Sequence, residues 1–381
     1  MDGATKVQLR SVPRVLGGLR MPETSHLTSR ENQYGRPSFF ERLSIFFQFL
    51  RLPTILVWTF ISKWNGRTRK RSVLDTYIRF SFNNFNIRQI QYLSGRGNYN
   101  AWCHKLGKQE PHVEAIGENA NLLWLGERRL EKVILCFHGG AFTVPAVEGH
   151  MKYLTHIRTR LGERGVNVSV ALLEYTLIPV AAFPTQLKQG VTAIKHLLSL
   201  GVEPQNIQLV GESAGANLIL QVLAHILHPL DNENVPPLSL PSPLKGACLI
   251  SPWVDLSDIH GTLKSGDSTD ILTTNSIRYL GAEVLKSVPK EYLGYVEANS
   301  AKDDWWKGAG TLVDRVLITA GREECLNNEI IRFKSVFETF HSQVLLQEHQ
   351  GVHSDPVMAM GIGESGGGAP DMIIDWFRAG F

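Results

Sequence analysis

Leu209-Val210-Gly211-Glu212-Ser213-Ala214-Gly215-Ala216-Asn217-Leu218 carries the pattern G-x-S-x-G from a short β-rich run directly into a helical one. A serine at such a junction sits on a tight turn that projects its hydroxyl, at the cost of a strained backbone. The residues two before and two after must be small for strand and helix to approach, and Gly211 and Gly215 meet that demand. The turn also aims the positive end of the helix dipole at Ser213. Ser213 is therefore a candidate nucleophile. The plainer alternative is a serine that only caps an amphipathic helix.

Outward from this turn, β-rich runs alternate with helical patterns. Strands are expected at 121–125, 132–137, 167–174, 207–210, 247–251, 315–319 and 343–347, and helices at about 148–163, 184–200, 214–228, 326–341 and 371–379. Val133-Ile134-Leu135-Cys136-Phe137 is apolar throughout, as strands covered on both faces are. The alternation predicts an α/β fold with a mostly parallel central sheet and helices on both faces. The proline-rich stretch 229–243 reads as a loop, 256–311 as an insertion or lid, and the glycine-rich 361–370 as a link into a last helix.

The totals fit one large catalytic domain with an appended segment: 381 residues, 43% hydrophobic and 20% charged. A formal net charge of +3 gives no reason to expect a nucleic-acid partner. Cys103, Cys136, Cys248 and Cys325 are widely spaced with no CxxC pair, so they read as buried free thiols in a reducing compartment. They suggest neither a disulfide framework nor a zinc site, and no metal or organic cofactor is expected.

Three regions are expected: a flexible polar tail over 1–37 without a signal peptide, an apolar and basic helical region over 38–115, and the catalytic domain over 116–381. Residues 43–61 are about as long as a membrane span needs, but Gln48, Arg51 and Pro53 interrupt them. Three readings stand side by side: a helix pair capping the site, a monotopic membrane-surface element, and a true span. Lys63, Arg67, Arg69, Lys70 and Arg71 suit an anionic cytosolic leaflet, or a merely solvated face. The expectation is an intracellular protein, not secreted, with membrane-surface contact through 43–71 at the endoplasmic reticulum or the cytosolic face.

Upstream of the serine, the expected strand 132–137 ends in His138-Gly139-Gly140-Ala141-Phe142. Successive glycines after a strand let the backbone turn with its N–H groups exposed. With the N–H that follows a nucleophile, such groups can hold an oxyanion. Gly139, Gly140 and Ala214 are the candidate donors; an ordinary loop turn is the alternative. His138 is expected to order this loop rather than to react.

His138-Gly139-Gly140 together with Gly211-Glu212-Ser213-Ala214-Gly215 resembles the hormone-sensitive-lipase-like branch of the α/β hydrolases. Glu174-Tyr175-Thr176-Leu177-Ile178-Pro179 with Phe183-Pro184, and Ile250-Ser251-Pro252-Trp253-Val254-Asp255-Leu256-Ser257, extend the likeness over about residues 120–381. The N-terminal apolar segment is similar to that of fungal steryl-acetyl-hydrolase-like members. The resemblance implies a serine esterase whose triad runs Ser, then Asp or Glu, then His. His349 and His353 both follow the last expected strand, and the family pattern of a base after a Gly-x pair selects His353 in Gly351-Val352-His353. It places the acid two residues before a helix-starting leucine, which selects Glu324 ahead of Leu326; adjacent Glu323 stays as the rival. Asp255 is expected to be structural, and Glu212 to bond nearby backbone without a catalytic part. Ala141 and Ala216 stand where the family usually has glycine, which keeps every N–H but suggests a tighter acyl pocket.

The resemblance further implies a small hydrophobic ester as substrate: a short, acetyl-like acyl group on a lipophilic alcohol such as a sterol or secondary metabolite. Trp305-Trp306 in the lid region either add to that hydrophobicity or simply pack. The same triad could open a formamide or a lactone. A non-catalytic small-molecule receptor is a further alternative, although receptors of this branch lose the histidine that His353 supplies here.

Overall fold

The computed structural model describes residues 34–62, 67–95, 97, 99–105, 110–230, 234–264, 269–364 and 369–381. Most of the expected tail, Lys63 of the basic cluster, and 365–368 of the glycine-rich link lie outside the described residues. Four helices come first: α1 (Phe39–Ile61), α2 (Arg69–Asn84), α3 (Ile87–Ser94) and α4 (Tyr99–Lys105). Strands and helices then alternate: β1 (His112–Gly117), β2 (Ala120–Trp124), β3 (Val133–Phe137), α5 (Glu148–Glu163), β4 (Ser169–Glu174), α6 (Thr185–Ser199), β5 (Ile207–Glu212), α7 (Ala214–Leu227) and β6 (Gly246–Ile250). After them come α8 (Thr274–Leu285), α9 (Leu293–Val296), β7 (Val316–Gly321), α10 (Asn327–Phe337), β8 (Val344–His349), α11 (Asp355–Gly361) and α12 (Ala369–Gly380).

The eight strands form one sheet in the order β1-β2-β4-β3-β5-β6-β7-β8. β2 runs antiparallel to both its neighbours, and every other pair is parallel. The apolar run of β3 explains why helices cover both faces. Val133, Leu135 and Phe137 join one core with Leu187 of α6 and Leu218 of α7, whereas Ile134 and Cys136 join the other with Leu154 of α5 and Phe377 of α12. All four cysteines are buried and none forms a disulfide.

β1 was not among the expected strands, and the boundary expected between 115 and 116 cuts it. The catalytic sheet begins at His112. As an edge strand β1 is only half covered, with Glu114 and Ile116 partly buried and Ala115 between them exposed, so its sequence lacks the apolar run that marks the others. It reaches β2 through a tight turn in which Gly117, Glu118 and Asn119 have φ of 88°, 55° and 56°.

Ser38 and Glu41 form a capping box that starts α1, and Glu41 also bonds Asn86 and Arg88, tying α1 to the start of α3. Ile45 and Leu52 of α1 bury themselves with Phe80, Phe85 and Ile90. Pro53 lies within α1 and does not divide it into a helix pair. The outer face stays apolar: Phe46, Phe47, Leu50, Val57 and Trp58 are between 57% and 70% exposed. Among the described residues α1 is the one helix long and apolar enough to cross a membrane, at 23 residues and mean hydropathy 1.5. Helices α2 and α3, together with α8, line the site cavity, and no residue of α1 does.

Candidate active site

In a parallel sheet the carboxyl ends of the strands share one edge, where ligands of open α/β sheets bind. Here the ends of β3, β5, β7 and β8 bring together the loops that carry Gly139, Ser213, Glu324 and His353. Ser213 has φ 54° and ψ −116°, the strained turn its motif demands. A Cβ on Gly215 would stand 1.9 Å from the Phe137 carbonyl oxygen, and one on Gly211 would stand 2.6 Å from the Ala216 nitrogen. The two glycines thus let α7 close onto β3 and β5. The Ser213 side chain makes no capping hydrogen bond. Its Oγ instead lies 2.9 Å from His353 Nε2.

His353 is buried, and its Nδ1 lies 3.5 Å from Oε2 of the wholly buried Glu324. That is an ion-pair separation, longer than a hydrogen bond, of the kind that tightens when substrate closes a site. Burial alone would lower the imidazole pKa, but the Glu324 carboxylate, with Asp270 and Glu212 behind it, holds it above its ordinary value. Glu323 turns the other way, to Arg67 at 3.3 Å. His349 is the last residue of β8 and does not face Ser213 in the way His353 does. Asp255 accepts from the Ser257 hydroxyl and the Ile259 N–H, a local structural role.

Gly140 has φ 101°, and Ala141 and Phe142 follow with φ 53° and 58°, so the chain turns sharply after β3. The Gly140 carbonyl accepts from Thr143 and Val144, which fixes the turn. Among the described residues, the Gly139, Gly140 and Ala214 N–H groups make no loop or cap hydrogen bond. His138 stacks on Tyr175 at 4.2 Å, its Nδ1 lies 2.7 Å from the Gly139 oxygen, and burial pushes its pKa down to about 3. It is a neutral ring that orders the loop.

Sequence reasoning did not find the groups that brace this arrangement. Glu212 bonds side chains rather than the nearby backbone expected of it: Oε2 lies 3.0 Å from His150 Nε2, and Oε1 accepts from the Ser354 hydroxyl. Burial would raise its pKa, but the His150 bond, the neighbouring imidazole charges and the Ser354 bond bring it down to about 2. His150 lies 62 residues before Glu212, so nothing local in the sequence marks the pair. Asp270 is equally hidden; it is wholly buried and bonds the His353 N–H at 3.0 Å.

Ser213 and His353 face a cavity of about 280 Å³. Tyr77 and Phe82 of α2, Ile90 and Leu93 of α3, and Ile271 and Leu280 from the 256–311 insertion line its walls. Trp305 and Trp306 do not reach it. Trp306 packs on Phe333 and Phe337, and Trp305 on His228 and Tyr295, so the pair serves packing.

The sequence model described as the alpha/beta hydrolase fold matches residues 134–355. The chain belongs to the α/β-hydrolase-fold family. Its relatives put this α/β hydrolase on the hormone-sensitive-lipase-like branch. A Schizosaccharomyces pombe protein whose name assigns it provisionally to the steryl acetyl hydrolases is 27% identical, over 65% of this chain and 66% of that protein. A Streptomyces hygroscopicus acetyl-hydrolase is 26% identical, over 59% of this chain and 68% of its own length. This α/β hydrolase therefore spans about two thirds of the length of these curated relatives. Among solved structures, an esterase of the bacterial hormone-sensitive lipase family superposes with a TM-score of 0.62 at 19% identity, covering 82% of this chain and 99% of that one. At that identity the superposition shows the fold.

Proposed function

We propose that this α/β hydrolase is a serine carboxylic-ester hydrolase acting through an acyl-enzyme on a lipophilic ester with a short, acetyl-like acyl group. The observation that carries the reading is Ser213 Oγ lying 2.9 Å from His353 Nε2 at the edge of an apolar cavity. His353 Nε2 takes the Ser213 proton as Oγ attacks the ester carbonyl, and the Gly139, Gly140 and Ala214 N–H groups hold the oxyanion. Collapse expels the alcohol, which leaves with the proton from Nε2. Water, deprotonated by the same nitrogen, then cleaves the acyl-enzyme and restores Ser213. Glu324 supports the imidazolium at each stage. The relatives named for steryl acetyl and acetyl hydrolysis favour the short acyl group and lipophilic alcohol.

A fluorophosphonate probe should label Ser213, and p-nitrophenyl esters from acetate to palmitate should be turned over fastest at the short end. Labelling at another residue, or unchanged turnover by Ser213→Ala, would sink the mechanism. Turnover confined to aryl formamides or lactones would move the reading to those bonds.

The proposed location is intracellular, at a membrane surface. What supports it is the exposed apolar face of α1, with Arg69 stacked over Phe60 at the end of that helix.

A further inference from the structure

The Asp270 carboxylate reaches two loops at once. Its Oδ2 accepts the Cys325 N–H at 2.7 Å, and Cys325 follows the candidate acid Glu324 directly. Its Oδ1 accepts the N–H of His353 itself at 3.0 Å, along with its own neighbour Ile271 at 2.7 Å. One wholly buried side chain therefore bonds the main chain of the acid loop after β7 and of the base loop after β8. The segment bearing it is held from the other side by α2 and the residue preceding it by two: Arg79 donates to the Asp270 carbonyl at 2.7 Å, and Arg67 to the Thr269 carbonyl at 2.8 Å. The next residue, Ile271, lines the catalytic cavity.

We propose that Asp270 is a positioning residue of the triad, a clamp that sets the spacing of Glu324 and His353 and adds a negative charge behind the imidazole. The proposal rests on the esterase reading above. A carboxylate is suited to this task because it accepts at both oxygens, whereas an amide accepts at one and donates at the other. In Asp270→Asn, either the Cys325 or the His353 N–H would face an NH₂ group. The charges facing His353 come from three elements: Glu324 on the acid loop, Glu212 beside the nucleophile, and Asp270. Asp270 is itself pushed up to about 6 by burial, against the pull of the His353 charge and of the Cys325 and His353 N–H bonds, so it carries its charge at neutral pH.

The test is steady-state hydrolysis of p-nitrophenyl acetate by the full chain, as wild type, Asp270→Asn and Asp270→Glu, with folding followed by circular dichroism. Asp270→Asn should lower kcat by about 10- to 100-fold, the usual result of a misplaced catalytic group, with KM within about threefold of wild type. Its acid limb in kcat/KM should move to lower pH, which a purely structural defect would not cause. Asp270→Glu keeps the charge, so its acid limb should stay in place while kcat falls. Folded Asp270→Asn with wild-type kcat and an unmoved acid limb overturns the proposal. If Asp270→Asn is insoluble, kcat for Asp270→Glu within about twofold of wild type overturns it. Failure of both variants to fold overturns it too, in favour of a scaffold role. A wild type that neither turns over esters nor labels at Ser213 would instead refute the esterase reading.

Discussion

Glu212, the residue before the candidate nucleophile, accepts a hydrogen bond from the hydroxyl of Ser354, the residue after the candidate base. With His150 on its other oxygen, Glu212 joins α5, the nucleophile turn and the base loop through one buried carboxylate. Its conformational neighbour Gly139 leaves the room: a Cβ there would stand 1.9 Å from Glu212 Oε2.

Replacing Glu212 by alanine should therefore loosen the site and the fold together. Removing the Glu212 carboxylate leaves its buried hydrogen-bond partners unsatisfied, at a cost of about 1–3 kcal/mol or more. Urea unfolding should show that loss, and kcat should fall with it. The pH dependence has a defined sign. A carboxylate brought from 4.5 to about 2 on folding stabilises the native state above pH 4.5, and that contribution drains away as pH falls through about 2. Wild type should lose stability across that window by more than Glu212→Gln does. Equal slopes would show that Glu212 is not held as a carboxylate.

The acid limb of kcat/KM should lie above the ordinary imidazole value of 6.5, because Glu324 holds the His353 pKa up. Protonated His353 cannot accept the Ser213 proton, so activity should be lost below that limb. Glu324→Gln should shift the limb to lower pH and cut kcat by roughly 10³- to 10⁴-fold, the scale known for a triad acid made neutral. Glu323→Gln should leave both nearly untouched.

Ala141 holds φ 53° and lines the cavity. Glycine at this position would relieve about 1–2 kcal/mol of left-handed strain, offset by about 0.4–1 kcal/mol of added chain entropy in the unfolded state. Ala141→Gly should thus raise stability by between roughly 0 and about 1.6 kcal/mol while raising the kcat/KM ratio of butyrate to acetate ester. An unchanged ratio would place the acyl group elsewhere in the cavity.

Vesicles of anionic phospholipid should co-sediment with the full chain through the exposed face of α1. Phe46→Glu with Phe47→Glu should weaken that binding and leave turnover of a soluble acetate ester as it was, since neither residue lines the cavity. Binding that survives both changes would assign the membrane contact to another surface.

The parallel strands were legible because burial on both faces leaves runs such as Val133–Phe137 with no polar residue. β1 was not, since His112–Gly117 alternates exposed with half-buried positions and carries no such run. The turn at Ser213 was legible because its glycines are required by contacts under 3 Å that only Cα hydrogens survive. Adjacent Glu323 and Glu324 could be told apart only by family likeness; in space one reaches Arg67 and the other points inward toward His353. The bracing residues lay beyond reach for a simpler reason. Asp270 and His353 are 83 positions apart and Glu212 and Ser354 are 142 apart, and neither pair leaves a periodic or motif signature.

Tyr77 and Phe82 of α2, and Ile90 and Leu93 of α3, line the same cavity as Ser213. From the same α2, Arg79 holds the segment on which Asp270 sits. Helices α2 and α3 are thus integral to the site. A recombinant protein trimmed to the matched family region for solubility would lose one wall of its own reaction chamber, and its idleness would say nothing about the intact enzyme.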